Sequence, residues 1–295
     1  MLIRACVPYY TKVPHKKRVL KQKKYLFCLR IKKKHYLWCN NNIKTHNNMK
    51  TAMQKETKKA VQKLLSDGKT NAKTTKNSLK TFILYLTPGQ VGTKNMCPMA
   101  SAGCLQACLY TAGFAGVYKS VNAARLKKTE FFISNKQAFI LQLSNEIMKQ
   151  YVKAKKGDYK IAFRLNGTSD LDFIFMLQKY ANLDINTLSD HATFYDYTKI
   201  LTKAIRYQDH PNYTVTFSRS ESNHTETDQA IKLGINVAAV FSDDLPQRYK
   251  GATVVDGDKS DLVMLYNKGV ILGLKAKGKA KKDKSGFVIN TALPF

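Results

Sequence analysis

This chain is short of acidic residues. Its 295 residues hold 20 Asp/Glu against 50 Lys/Arg, and the first 48 hold none. Residues 1–80 carry 22 Lys/Arg and 2 Asp/Glu, so +20 of the net +30 sits in the first quarter of the sequence. An excess of this kind ordinarily points to nucleic acid, but the body beyond residue 80 is only moderately basic. No apolar run reaches the roughly 18–20 residues of a membrane helix, and MLIRACVPYYTKV lacks the apolar segment of a secretory signal. The expectation is a soluble cytoplasmic protein with no membrane partner. Cysteine is also scarce, at six. In a reducing compartment those six are ligands or nucleophiles rather than disulfides.

Residues 1–48 form a basic N-terminal extension with runs such as Lys32-Lys33-Lys34. One reading is an arm that grips phosphates while Tyr25, Phe27, Tyr36 and Trp38 stack on bases. The other is that the stretch is disordered or not native, with Met49 opening the protein-like sequence. Residues 49–78 read as a helix, about Thr51 to Leu65, ended by Ser66-Asp67-Gly68 and followed by a linker. Residues 79–295 read as a single α/β domain.

Within that domain short β-branched and aromatic runs recur. They are Thr81–Leu86, Tyr159–Leu165, Thr193–Tyr197, Tyr213–Phe217, Val237–Phe241, Thr253–Val255 and Val270–Leu274. Helical stretches fall between the earlier ones, at about Asn122–Lys128, Asn135–Lys153, Leu171–Tyr180, Thr198–Tyr207 and Glu226–Leu233. In the second, Phe139, Ile140, Leu143, Ile147 and Tyr151 follow the 3.6 period of one buried face. Alternation of this kind implies a parallel sheet with right-handed crossovers, a partial or full (β/α) barrel-like arrangement. The last two strands lack a clear helix between them, which suggests antiparallel pairing at the carboxyl end. Beyond this alternation no sequence repeat is visible.

Sites in parallel sheets form at the carboxyl ends of strands. Those ends supply Arg164, Asn166, Ser169, Asp170, Ser218, Ser220 and Glu221 as candidates to bind a cofactor or substrate. Asp196, Tyr197 and Lys199 are the catalytic candidates, since a Tyr and a Lys at a strand end can move protons or bind a carboxylate. The bland reading is that loops are polar anyway, with Ser169, Asp170 and Asn223 serving as helix N-caps.

The stretch Thr87–Gly116 follows the first of these strands and holds Cys97, Cys104 and Cys108, a C-x6-C-x3-C run. On a helix Cys104 and Cys108 would share one face about 6 Å apart, whereas Cys97 would lie about 10 Å further along. Cys97 therefore joins them only if Pro98–Gly103 loops back, leaving Leu105–Ala112 helical with Gly113 as terminator. Structural zinc needs four ligands, and the nearest histidine candidates, His191, His210 and His224, are distant in sequence. A [4Fe–4S] cluster held by three cysteines keeps one iron open to a ligand. The competing reading is three small buried cysteines.

A three-cysteine loop after the first strand resembles the layout of radical S-adenosylmethionine enzymes, although their usual spacing is C-x3-C-x2-C. That resemblance implies a [4Fe–4S] cluster and S-adenosylmethionine as cofactors. NGTSD would then lie near the methionine amine, with Ser218, Ser220 and Glu221 near the ribose. A resemblance to the phage family called gene product 88 covers more of the chain. It rests on CPMASAGCLQAC, ARLKKTEFF, FRLNGTSDLDF, TFYDYTK, NYTVTFSRSESN, NVAAVF, VVDGD and GVILGLKAKGKA, in that order between Leu79 and Val288. It implies a viral source, and so the host cytoplasm, without supplying a mechanism. Two function classes follow. One is an iron–sulfur enzyme acting on a nucleotide, nucleic acid or peptide. The other is a zinc- or cluster-stabilised protein that binds nucleic acid through Lys275, Lys277, Lys279, Lys281, Lys282 and Lys284.

Overall fold

β-Branched and aromatic runs build one long mixed sheet, whose strands alternate with helices over most of its width. The structure is a computed structural model and describes residues 63–70, 74, 79–108 and 118–292. These fall in one compact unit, Val61–Phe295. The basic extension 1–48 and residues 51–62 of the first expected helix lie outside the described residues.

The chain enters with β1 (Leu65–Asp67) and β2 (Lys80–Leu84), then a small hairpin of β3 (Gln90–Val91) and β4 (Lys94–Asn95). Three helices follow: α1 (Ala102–Gln106), α2 (Lys119–Ser134) and α3 (Lys136–Lys156). Strict alternation then sets in. It runs β5 (Ile161–Arg164), α4 (Phe173–Ala181), β6 (Ala192–Thr198), α5 (Leu201–Arg206), β7 (Tyr213–Ser218), α6 (His224–Lys232) and β8 (Val237–Phe241). The carboxyl part holds β9 (Arg248–Tyr249), β10 (Ala252–Asp256), α7 (Val263–Tyr266), β11 (Ile271–Lys275) and β12 (Val288–Ile289).

Ten strands share one sheet in the order β1-β2-β5-β6-β7-β8-β11-β10-β9, with β12 also paired to β8. From β2 to β10 every neighbouring pair is parallel. The sheet is an open path, so the barrel is partial and not closed. The expected antiparallel end is corrected: β10 and β11 are parallel, joined through the one-turn helix α7, and β11 slots between β8 and β10. Antiparallel pairing in this sheet occurs instead at its two edges, in β9–β10, joined by two residues, and in β1–β2. Leu65–Asp67 is a second correction. Rather than ending a helix, these residues form an edge strand, whose start is fixed by Glu146 of α3 accepting from the Leu64 and Leu65 amides at 2.8 Å each.

Strand residues alternate between two faces. One face carries Phe82, Leu84, Phe163, Phe194, Phe217, Val237 and Phe241 into the main core, where they meet Phe132 of α2, Leu143 of α3, Leu177 of α4, Ala204 of α5 and Ala230 of α6. Sequential strand order with right-handed crossovers puts these helices on one side of the sheet. In α3 the 3.6 period is realised: Phe139, Ile140, Leu143 and Ile147 are fully buried, and Asn135 caps the helix by accepting from the Ala138 amide at 3.0 Å. The opposite, inner face carries Ala162, Tyr195, Ala238 and Leu272, packed against Leu262 and Met264. No described helix is long and apolar enough to cross a membrane.

Candidate functional site

Three loops at the carboxyl ends of β2, β5 and β7 are stitched into one rim. After β2 the hairpin β3–β4 turns at Gly92 (φ +55°), and Met96 then anchors in the core, 1% exposed. The Met96 carbonyl accepts from the Asp170 amide at 2.8 Å, and the Gly167 amide donates to the Leu84 carbonyl at 2.9 Å. Gly167 is needed here, since a Cβ would come within 2.6 Å of the Tyr85 ring and 2.7 Å of Ile83. Cys97, half-buried, lies between these loops, with its Sγ 3.7 Å from the Thr168 carbonyl.

Pro98 to Ser101 is non-helical and α1 starts at Ala102, so Cys104 sits on a short helix that ends before Cys108. The expected helix to Ala112 stops at Gln106, and residues 109–117 lie outside the described residues. Burial pushes the Cys97 thiol up to about 11, partly offset by the Gly89 amide, and Cys108, Asp170 and Cys104 push it the same way as burial. A thiol raised this far is a poor nucleophile at neutral pH. Among the described residues, however, no three His, Cys, Asp or Glu side chains form a group that could hold a metal ion.

Glu221, at the end of β7, holds the cysteine helix in place. Its Oε2 accepts from the Ser101 hydroxyl and its Oε1 from the Gly103 amide, each at 2.7 Å, while Ser101 Oγ caps Cys104 N at 3.2 Å. Burial would raise the Glu221 carboxyl, but these donors outweigh it and hold it below its ordinary value. Gly103 fits tightly, because a Cβ there would lie 2.8 Å from Glu221 Oε1 and 2.1 Å from Ser285 Oγ.

The candidates in NGTSD form a knot beneath the rim. Asn166 donates from its amide and Nδ2 to Asp196 at 2.8 and 3.0 Å, and its Oδ1 accepts from Ser169 Oγ and the Leu171 amide. Asp170 accepts from Thr198 Oγ1 and the Lys199 amide at 2.7 Å each, and pairs with Lys203 at 3.3 Å. The expected N-cap role of Ser169 and Asp170 falls instead to Asp172, which accepts from the Phe175 amide. Asn223 stands at the N-cap position of α6 with its side chain turned back to the Ser220 amide, at 2.6 Å.

Asp196 faces the helix side, 1% exposed, and also accepts from Tyr213 OH at 3.2 Å. Burial raises its carboxyl to about 6 despite Lys203 and the Asn166 donors. Tyr197 and Lys199 face the inner side, partly exposed together with Arg164 and Ser218. There Arg164 stacks over Tyr197 at 5.0 Å and donates to Asp261 at 3.0 Å, while Tyr195 OH reaches the same Asp261 oxygen at 3.2 Å. Burial alone would lower the Arg164 pKa, but Asp261 outweighs it and the net shift is upward. Lys199 Nζ donates to Ser218 Oγ at 3.0 Å and lies 5.6 Å from the Phe287 ring centre. Ser220 is buried, with its hydroxyl 3.4 Å from that of Ser222.

Sequence reasoning missed Asp261, Tyr195 and Tyr85, whose ring lies under Arg125 at 4.7 Å. Tyr195 was findable, because residues 195, 197 and 199 alternate onto one face. Asp261 was not, since it lies on a connection well beyond its strand end. In the lysine run, Lys275 pairs with Asp244 at 3.1 Å and Lys277 with Asp258 at 2.8 Å. Lys279, Lys281, Lys282 and Lys284 are exposed. His191 and His210 precede β6 and β7, at the opposite end of the sheet from the cysteines, whereas His224 opens α6 beyond the carboxyl end of β7, exposed and at the cysteine end.

A sequence model of one family, described as Gene product 88, matches residues 38–291. That span takes in residues 38–48 of the basic extension and begins earlier than the motifs from Leu79 onward. No curated protein and no solved structure matches, and the resemblance to radical S-adenosylmethionine enzymes gains no support.

Proposed function

The chain belongs to the gene product 88 family, and from the rim we propose that it is an iron–sulfur enzyme whose cluster is held by Cys97, Cys104 and Cys108. The observation that carries this reading is the non-helical stretch Pro98–Ser101, which breaks the helix between Cys97 and Cys104 as a shared centre requires. The donor set suits a cluster better than zinc. A cluster distributes its thiolates over several irons, each with its own ligand. A single zinc ion needs four donors converging on one point. Among the described residues the thiols form no single-ion group, and of the three candidate histidines His191 and His210 stand at the far end of the sheet while His224, at the cysteine end, belongs to no such group either.

Bound there, a three-cysteine cluster supplies an iron with a free coordination position and one-electron chemistry. The chain's own residues supply the rest. Glu221 and Ser101 orient the helix that carries Cys104. Arg164, Tyr197, Lys199 and Ser218 offer donors on the inner face at the same end of the sheet for a small-molecule substrate or part of a nucleic acid or peptide. Anaerobic reconstitution with iron and sulfide tests the proposal. The expected product is brown, with absorbance near about 400 nm from thiolate-to-iron charge transfer. Replacing any of the three cysteines by alanine is expected to remove most of that absorbance. A colourless protein carrying stoichiometric zinc would sink the reading.

A further inference from the structure

Two cations, Arg164 and Lys199, stand on the inner face near the rim. Arg164 is 15% exposed and its Nη1 is answered by Asp261, but its Nε–H is buried without an acceptor. Two residues past Tyr197 on the same face, Lys199 donates only to a hydroxyl, that of Ser218, and also lies near the Phe287 ring. Among the described residues no carboxylate forms an ion pair with Lys199 Nζ. Asp261 therefore answers one of two cations.

We infer that Arg164 and Lys199 receive an oxyanion, the carboxylate or phosphate group of the ligand handled at this rim. A buried donor without an acceptor is a standing cost to the free protein, and an anion accepting from Nε–H removes it. Charge-assisted hydrogen bonds from a guanidinium and an ammonium are the strong kind, and the guanidinium fork suits the two oxygens of a carboxylate or phosphate. The Ser218 hydroxyl accepts from Lys199 and keeps its own proton to donate to the same ligand oxygen. Contact with the Tyr197 ring, 5.0 Å from the guanidinium carbon, and the bond to Asp261 restrain the guanidinium, which lowers the ordering cost on binding. The competing reading is that Arg164 serves only to tie Asp261 and Tyr195 to the sheet. The inference rests on the proposed use of this rim as a substrate site, and not on the cluster.

The test is thermal unfolding of the full chain in sodium phosphate and in sodium acetate, each against sodium chloride of equal ionic strength. At a net charge of +30 the chloride control removes loose surface binding. Phosphate or acetate is expected to raise the midpoint beyond chloride, and Lys199→Gln to raise by about tenfold the anion concentration needed for the same shift, the scale of one charge-assisted hydrogen bond. Arg164→Lys, which keeps the charge beside Asp261 but loses the fork, is expected to raise it as well. Substituting Lys279, Lys281 and Lys282 by glutamine is expected to leave it unchanged. Protection by phosphate alone assigns a phosphoryl group, and by acetate alone a carboxylate. If neither anion outdoes chloride, or Lys199→Gln responds as the unaltered chain does, the inference is wrong. Cluster content after reconstitution should be the same in Lys199→Gln, so failure of either reading leaves the other standing.

Discussion

Asp196 shows how far a single buried carboxylate can be committed before any chemistry is asked of it. Both of its oxygens accept hydrogen bonds, and burial holds its pKa at about 6 against 3.8 ordinarily. A folded-state pKa above the unfolded value gives stability that is full below about pH 4 and lost as pH rises through about 6. Asp196→Asn removes that dependence. The stability of the unaltered chain relative to the variant is expected to fall by up to about 3 kcal/mol between pH 4 and pH 7. Chemical denaturation of both proteins at the two pH values measures this, and parallel profiles would refute it. Asp261 presents the other case, with a side chain 0% exposed paired to Arg164. Asp261→Ala leaves a buried guanidinium without its counter-charge and should cost about 3–5 kcal/mol. Replacing both members by apolar residues should recover much of that loss, as the double-mutant cycle would show.

At the scale of elements, the five-residue helix α1 is too short to hold itself together and depends on what clamps it. The clamp is Glu221 from the end of β7, with Ser101 between them. Glu221→Gln keeps one acceptor oxygen but loses the charge. It is expected to speed amide exchange at Gly103 and Cys104 while moving the global unfolding midpoint little, a combination that hydrogen-exchange mass spectrometry resolves. The long helix α3 behaves in the opposite way. Leu143 is fully buried in the main core, and Leu143→Ala should cost about 2–5 kcal/mol of global stability. Equal effects of the two substitutions on global stability would contradict this division between a clamped element and a core element.

For the whole molecule, the order of strands decides what stands beside what. Winding in one direction from β2 to β8 puts the helices on one side and leaves the inner face for Arg164, Tyr197 and Lys199. It also carries the last segment back over the rim: β12 pairs with β8 at Val240 and Phe241, and Arg219 donates to the Gly286 and Phe287 carbonyls at 2.6 and 2.7 Å. The lysine run lies within this segment, with two of its six side chains already paired to aspartates. Any grip it has on phosphates therefore falls to Lys279, Lys281, Lys282 and Lys284. In filter binding to single-stranded DNA over a salt series, neutralising those four should flatten the salt slope by roughly 0.7 for each phosphate no longer neutralised. Neutralising Lys275 and Lys277 should leave it nearly unchanged, and the reverse pattern would exclude this surface.

The sequence by itself determined the alternation of strands and helices, the buried stripe of α3 and the end of the sheet at which polar residues gather. These follow from periodicity and turn residues within short windows, which are local properties of a chain. It also marked the cysteine loop and the condition for Cys97 to join the other two. Only the tertiary structure decided which polar side chains are spent on holding the rim together and which are not. Asp170 and Asp196 look alike in sequence to Lys199 and Ser218, each being polar at a strand end. Yet the first two are consumed by partners 28 to 33 and 17 to 30 residues away, respectively. Glu221 clamps a helix 118 to 120 residues away, and Asp261 meets Arg164 across 97. A hydrogen bond spanning such a distance has no signature in the residues around either end, because its partner is chosen by which loops the sheet brings together.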